Sequence, residues 1–183
     1  MIQHVHIPKT GGSALAQAYA TSGAINRNGH AFTLSWLKHG DDAITIVRDP
    51  VDRFVSAFNW IATYRRETSP VAWPWASPDA MALGIGSEMV DGALEGLQVF
   101  IPQSHWLDGD LARLIWVGRT ETLRADYAEL KARLGIHEDL PPPGPTANTG
   151  PPHQPLSERA IASVRDWYAD DYELLRTNGW LSL

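Results

Sequence analysis

The sequence contains no cysteine, so disulfide bonds and thiolate–metal sites are excluded. It also lacks an apolar run long enough to span a membrane. Its first residues, MIQHVHIPK, have neither the basic start nor the long apolar stretch of a signal peptide. An excess of positive charge is missing too: the net charge is -6, so we expect neither nucleic acid nor an anionic membrane as a partner. We therefore expect a cytoplasmic protein without a membrane span.

What is present is enough hydrophobic material for one ordinary domain. The 183 residues are 44% hydrophobic, which predicts a single domain over residues 1–183 with a buried core. Three β-rich runs, 2–7, 43–47 and 114–117, are each followed by a segment with helical spacing of apolar residues. Strands that alternate with helices favour an α/β fold with a central parallel sheet covered by helices on both faces, in three layers.

The helix boundaries carry recognisable signals. We expect Ser13 near the N-cap of the first helix, Asp49 as the cap of the second with Pro50 in its first turn, and Ser157 as the cap of a final helix. The helix after the third strand should bury one side, which carries Leu123, Tyr127, Leu130 and Leu134.

Two segments are predicted to be irregular. Residues 66–86 contain Pro70, Pro74 and Pro78 with Trp73 and Trp75, and we expect either a lid or part of an acceptor pocket, or a packed structural loop. Residues 141–155 carry seven prolines and predict a stiff connection.

The first motif lies in the turn between the first strand and helix, Pro8-Lys9-Thr10-Gly11-Gly12-Ser13. The glycines would let an anion approach the loop amides closely, Lys9 adds a positive charge, and Thr10 and Ser13 add hydroxyl groups. Such a loop can hold a phosphate and stabilise charge on an oxygen that leaves it. It is not a Walker A loop, because its lysine precedes the glycines. The alternative is an ordinary strand-to-helix turn with an exposed lysine.

The second motif runs from Val47 to Ser56. Arg48 ends the second strand, so it should lie at the same carboxyl edge of the sheet as Lys9. At about 100° per residue, an apolar stripe forms on one side of the following helix, and Asp49, Asp52, Arg53 and Ser56 fall on the other. An arginine and a hydroxyl suit a terminal phosphate. The alternative is a structural ion pair of Arg48 and a solvated Ser56.

Together these residues resemble a known family. Ile7 to Ser13 resembles the 5′-phosphosulfate loop of sulfotransferases that use 3′-phosphoadenosine 5′-phosphosulfate (PAPS), and Val47 to Ser56 resembles their 3′-phosphate motif. The variant is closest to the carbohydrate branch, which includes heparan sulfate 2-O-sulfotransferases and small bacterial relatives. The resemblance implies a P-loop-like fold and PAPS as sulfuryl donor. It implies that Lys9, Thr10, Gly11, Gly12 and Ser13 hold the 5′-phosphosulfate, and that Arg48 and Ser56 hold the 3′-phosphate.

Weaker matches extend along the chain. They include the segments 29–31, 103–107, 117–121 and 167–172, and Asn148 in the proline-rich stretch. Histidine is the natural base for the acceptor hydroxyl near neutral pH. His30 fits the family position of a catalytic histidine, and Lys9 would stabilise the leaving phosphate. His105 is the second candidate base. His4 and His6 form an HxH pair for which packing is expected rather than metal binding, and no metal is expected in this scheme.

Two other function classes remain as alternatives. One is an atypical P-loop kinase or nucleotide hydrolase, and the other is a non-catalytic nucleotide-binding protein of the same fold. The resemblance implies an acceptor hydroxyl of a carbohydrate or small metabolite. The acidic balance disfavours a long polyanionic glycan, which normally requires a broad basic groove.

Overall fold

A computed structural model describes residues 1–68, 73–142 and 155–181. Within these residues, contacts define two compact units. The first contains residues 1–48, 102–142 and 174–181, and the second contains residues 49–101 and 155–173 in their described parts. The expectation of one domain stays a prediction. Asn148 and the prolines at 143, 145, 151 and 152 lie outside the described residues, as does Pro70.

The first unit contains a parallel sheet of four strands. They are β1 (Ile2–Val5), β2 (Ile25–Arg27), β3 (Asp42–Val47) and β4 (Leu114–Arg119), in the spatial order β2-β1-β3-β4. Every pair is parallel, with Ile2 beside Ile25 on one side and Asp42 on the other. The predicted α/β class, with a central parallel sheet flanked by helices, is confirmed.

Eight α-helices lie in the described parts of the chain. They are α1 (Gly12–Ala18), α2 (Pro50–Thr68), α3 (Pro78–Ala82), α4 (Glu88–Gly96), α5 (Gln103–Trp106), α6 (Leu123–Leu134), α7 (Glu158–Trp167) and α8 (Ala169–Thr177). Short 3-10 helices occur at Leu34–Trp36, Leu111–Arg113 and Thr120–Thr122. No helix among the described residues is both long and apolar enough to cross a membrane.

The core of the first unit lies between one face of the sheet and the helices α1 and α6. It contains Leu15 of α1 and the C-cap residue Tyr19, Ile44 and Ile46 of β3, Trp116 of β4, and Tyr127 and Leu130 of α6. The predicted buried side of α6 is confirmed, with Leu123 and Leu134 packed at its margin. The other face of the sheet is buried as well, since Val5, Thr45 and Val47 are at most 1% exposed.

The second unit has its own core, built by α2, α3, α4 and α7. Its buried residues include Phe54 and Phe58 from the predicted stripe of α2, with Val51 and Val55 packed against them. Asp49 caps α2 as predicted, because its Oδ1 accepts hydrogen bonds from the amides of Val51 and Asp52.

The structure corrects one boundary and sharpens another. The strand after Met1 ends at Val5 rather than Ile7. Ser13 lies near the N-cap of α1 as predicted, in the first turn of the helix and exposed, and the cap itself is Gly11. Gly11 can take this place because its φ of 94° is in the left-handed region, which suits a residue without Cβ.

Arg53 falls on the side of α2 away from the apolar stripe and is nevertheless buried. It is 1% exposed, and its guanidinium donates to the carbonyl groups of Val99 (3.1 Å) and Ile101 (2.6 Å). It also lies 5.4 Å from the ring centroid of Tyr168, a cation–π distance. Carbonyl and aromatic partners make burial of the charge possible, which the spacing along one helix could not indicate.

The irregular segment and the final helix also differ from expectation. Within 66–86, α3 forms where the Ser77 hydroxyl accepts a hydrogen bond from the Ala80 amide, and Trp73 and Trp75 pack against the core of the second unit. Their packing favours the structural-loop alternative for the described part. Ser157 caps a helix as predicted, but that helix is divided at Tyr168 into α7 and α8.

Candidate functional site

The sheet order creates a switch point between β1 and β3. The connection that follows β1 leads to β2 on one side, and the connection that follows β3 leads to β4 on the opposite side. The loops that follow β1 and β3 therefore diverge at the carboxyl edge of the sheet. In open α/β sheets, this is where a crevice forms and where ligands bind. Lys9 follows β1 and Arg48 follows β3, so the topology brings both cations to that edge.

Lys9 and Arg48 are held next to each other. An Nη1 hydrogen of Arg48 is donated to the backbone carbonyl oxygen of Lys9, over 3.3 Å. Burial, and second the charge of Arg48, lower the pKa of Lys9 to about 8. Both side chains are half-buried. One cation from each of the two motifs therefore lies in the first unit.

The loop backbone is left-handed at two positions. Lys9 has φ 67°, the one positive φ at a non-glycine residue among the described residues, and Gly11 has φ 94°. A left-handed lysine costs about 1–3 kcal/mol and is typical of functional sites. Gly12 has another reason to be glycine, because a methyl group placed on it would lie 2.5 Å from Nε2 of His6 and closer still to Cδ2.

Thr10 has a different use from the one predicted for its hydroxyl. Its side chain is 1% exposed and donates a hydrogen bond to the carbonyl of Ile7 over 2.9 Å. The hydroxyl thus holds the loop against the end of the first β segment. The exposed Ser13 places its side chain at the surface.

Sequence reasoning missed two residues that hold this edge together. The hydroxyl of Thr120, just after β4, contacts the carbonyls of Thr10 (2.6 Å) and Val47 (3.1 Å). The buried amide of Gln103 donates to the carbonyl of Arg48 (2.8 Å) and accepts from its N–H (3.0 Å). Both lie in segments that resemble the family. The complete burial of Gln103 marks it as a supporting residue, and only the structure shows that burial.

His30 lies at the same edge and contacts His6, the residue that follows β1. Its Nδ1 is 2.9 Å from the carbonyl oxygen of His6, and the two rings have centroids 4.2 Å apart. The indole N–H of Trp106 donates to the carbonyl of His30 over 2.6 Å. Hydrogen bonds therefore hold both the ring and the backbone of His30. Its neighbour His6 is the residue whose ring lies beside Gly12.

The other histidines are placed differently. His105 is exposed and packs edge-on against Trp106. His4 is fully buried, stacks on His6 with centroids 5.0 Å apart, and lies with Nδ1 2.7 Å from the hydroxyl of Tyr19. Over the described residues, His, Asp and Glu side chains form no group of three that could hold a metal ion.

Ser56 belongs to the second unit. It lies in α2 and is 8% exposed. In the same unit, Trp60 packs at the margin of the core, and the hydroxyl of Tyr172 donates to the carboxylate of Asp49 over 3.2 Å. The assignment of Ser56 to a 3′-phosphate stays a prediction.

Comparison with known proteins adds no relative: no protein-family model matches the chain, and no curated protein sequence matches it.

Proposed function

We propose that this protein is a sulfotransferase that moves a sulfuryl group from PAPS to an acceptor hydroxyl of a carbohydrate or small metabolite. The observation that supports this most is the pairing of Lys9 with Arg48 at the switch point of the sheet. The sequence motifs that resemble the 5′-phosphosulfate loop and the 3′-phosphate motif contribute one of these cations each. A P-loop-like identity of the fold is part of the same proposal.

The electrostatics of the pair favour a polyanionic ligand. Two cations that are close enough for one to lower the pKa of the other repel each other, and burial adds to the cost of their charge. A phosphate or phosphosulfate group would offset both costs. The left-handed turns at Lys9 and Gly11 are of the kind that point successive amides toward one anion.

The reaction needs no chemistry beyond these residues and the substrates. The acceptor oxygen attacks sulfur in line, the bond between sulfur and the bridging phosphate oxygen breaks, and 3′-phosphoadenosine 5′-phosphate leaves. His30 takes the proton of the acceptor hydroxyl. The ammonium group of Lys9 stabilises the negative charge that develops on the leaving phosphate.

Binding of the expected product is the first test. Isothermal titration with 3′-phosphoadenosine 5′-phosphate, compared with ADP and ATP without magnesium, should show a clear preference for the 3′-phosphate. Arg48→Ala should abolish that preference, whereas Arg159→Ala removes the same charge from an exposed site on α7 and should not. A preference for ATP would favour the kinase or hydrolase class instead and would refute the proposal.

Transfer is tested with labelled donor. PAPS carrying ³⁵S, incubated with a panel of monosaccharides, oligosaccharides and hydroxylated metabolites, should give a labelled product in the wild type. His30→Ala should lose transfer and keep nucleotide binding, and His105→Ala is the control for the second candidate base. Full transfer by His30→Ala would eliminate His30 as the base. Nucleotide binding without transfer to any acceptor would favour the non-catalytic class. Ser56→Ala, titrated in the same way, tests its predicted contact with the 3′-phosphate.

A further inference from the structure

The contact between His30 and His6 determines which nitrogen of His30 carries a proton. Nδ1 of His30 lies 2.9 Å from the backbone carbonyl oxygen of His6, and a carbonyl oxygen can only accept a hydrogen bond. Nδ1 is therefore the donor, and in the neutral ring Nε2 is the nitrogen without a proton. A base needs this lone pair, because a ring with its proton on Nε2 could not accept one there.

The side chain of His6 limits how the ring of His30 can move. The His6 ring is 5% exposed and lies against His30, with centroids 4.2 Å apart and the planes inclined by 45°. On another side it occupies the space next to Gly12, where a Cβ would overlap it. One ring thus contacts both the candidate base and the loop that carries Lys9.

His4 packs against the ring of His6. It stacks on His6 with an interplanar angle of 20°, and its Nδ1 is hydrogen-bonded to the hydroxyl of Tyr19, the residue after α1. Burial, with the neighbouring charges of the other histidines and of Arg27, keeps the pKa of both His4 and His6 far below the usual range. The stack is therefore neutral at physiological pH and places no positive charge beside His30.

We propose that His6 is a positioning residue: its carbonyl group fixes His30 in the Nδ1–H tautomer, and its ring holds the His30 ring so that Nε2 is the atom that accepts the proton. The proposal rests on the proposed function as far as catalysis is concerned. The tautomer itself is a property of the protein without substrate. The two can therefore fail separately.

The tautomer can be measured directly. Long-range ¹H–¹⁵N correlation spectra of the ¹⁵N-labelled protein near pH 8 distinguish a protonated ring nitrogen from an unprotonated one, and His30→Ala assigns the signals. We expect the wild type to carry the proton on Nδ1. His6→Ala keeps the backbone carbonyl but loses the ring that holds His30 against it, so it should give exchange between the two tautomers, whereas His6→Phe keeps a ring at the same place and should retain the single form.

Two results would overturn the proposal in this experiment. One is a wild-type His30 with its proton on Nε2, which needs no variant and so does not depend on the folding of His6→Ala. The other is an unchanged tautomer in a folded His6→Ala protein, which would leave the ring without a positioning role. Neither result depends on whether the protein transfers sulfate.

Kinetics extend the test once an acceptor is found by the labelled-donor assay. His6→Ala should lower kcat about tenfold or more, a part of the roughly 10²–10⁴-fold that a positioned base contributes, with the KM for PAPS unchanged. His6→Phe should recover most of the loss. His39→Ala removes an exposed histidine of the same unit and should match the wild type. A raised KM with unchanged kcat would show that the ring supports donor binding alone, contrary to the proposal.

Discussion

A Cβ added at Gly12 would overlap the ring of His6. The effect of Gly12→Ala on stability should therefore change sign when the His6 ring is removed. Gly12 is the first residue of α1 and its φ is not in the left-handed region, so alanine suits its backbone. The three atoms nearest to the added methyl all belong to the His6 ring, with Nε2 at 2.5 Å. Normal contact distances are about 3.5–4.0 Å, so either the ring or the helix must shift.

The size of the effect follows from known costs of packing. Gly12→Ala should destabilise the wild type by about 1–3 kcal/mol, the usual cost of forcing an extra methyl into a packed site. In a His6→Ala protein the ring is gone, and the same change should be neutral or stabilise by up to about 1 kcal/mol, because alanine loses less entropy than glycine in a helix. We therefore expect a coupling energy of about 1–4 kcal/mol, against the roughly 0.5–3 kcal/mol that is usual for residues in contact.

The assay is thermal unfolding of the four proteins, followed by circular dichroism with matched calorimetry to check the two-state assumption. For a chain of this size, about 2 kcal/mol corresponds to about 4–8 °C in Tm. Gly11→Ala is the matched control. Its φ of 94° makes alanine strained whether or not His6 is present, so it should cost the same in both backgrounds. An equal cost of Gly12→Ala in both backgrounds would refute the contact.

Three more predictions concern charge and the support of the site. The pKa values of His4 and His6 are lowered to about 3 and about 4, mainly by burial, so between pH 6.5 and 4 the unfolded chain binds more protons than the folded one. Stability should therefore fall as the pH drops through this range, by up to about 1.4 kcal/mol per pH unit for each histidine, and urea unfolding at pH 7 and 5 should show a smaller loss for His6→Phe. A pKa of about 8 for Lys9 means that its positive charge is lost as the pH rises through 8. The affinity for 3′-phosphoadenosine 5′-phosphate should then fall between pH 7 and 9, and a Lys9→Arg protein that kept the same slope would argue against Lys9 as the cause. Gln103→Ala leaves the N–H and carbonyl of Arg48 without this partner and should cost about 1–3 kcal/mol of stability, with weaker nucleotide binding. Affinity equal to that of the wild type would mean that Gln103 does not position Arg48.

The parts of the fold that the sequence predicted well are those with local signals. The strand before Arg48 and the helix that Asp49 caps were predicted nearly to the residue, because a β-branched run, a capping side chain and a proline in the first turn are adjacent in the chain. The order of the strands was not predicted, and β2 was not among the three β-rich runs. The edge at which Lys9 and Arg48 meet could still be expected, because the carboxyl ends of parallel strands lie at the same edge of a sheet.

The parts that could not be predicted depend on partners far away in the chain. Arg53 has a buried place only because carbonyl groups at Val99 and Ile101, 46 and 48 positions later, accept its hydrogens. The break between α7 and α8 at Tyr168 could not be predicted, because no proline or glycine lies there. There the chain turns where a buried tyrosine donates to the carbonyl of Phe100 over 2.6 Å. Helical spacing describes one face of one helix and contains no information about such distant acceptors.

The same distinction applies to the site. The residue types predicted a polyanionic ligand and a catalytic base, because lysine and arginine bind anions and histidine can accept a proton. Their positions, however, depend on side chains that show no chemistry in the sequence. Thr120 contacts the carbonyls of Thr10 and of Val47 at the end of β3, and Gln103 binds the backbone of Arg48. Removing one partner of a buried hydrogen bond costs about 1–3 kcal/mol. The rigidity that brings two cations together against their repulsion therefore comes from residues outside both motifs. For this reason, changes to the supporting residues should weaken anion binding without removing any charge.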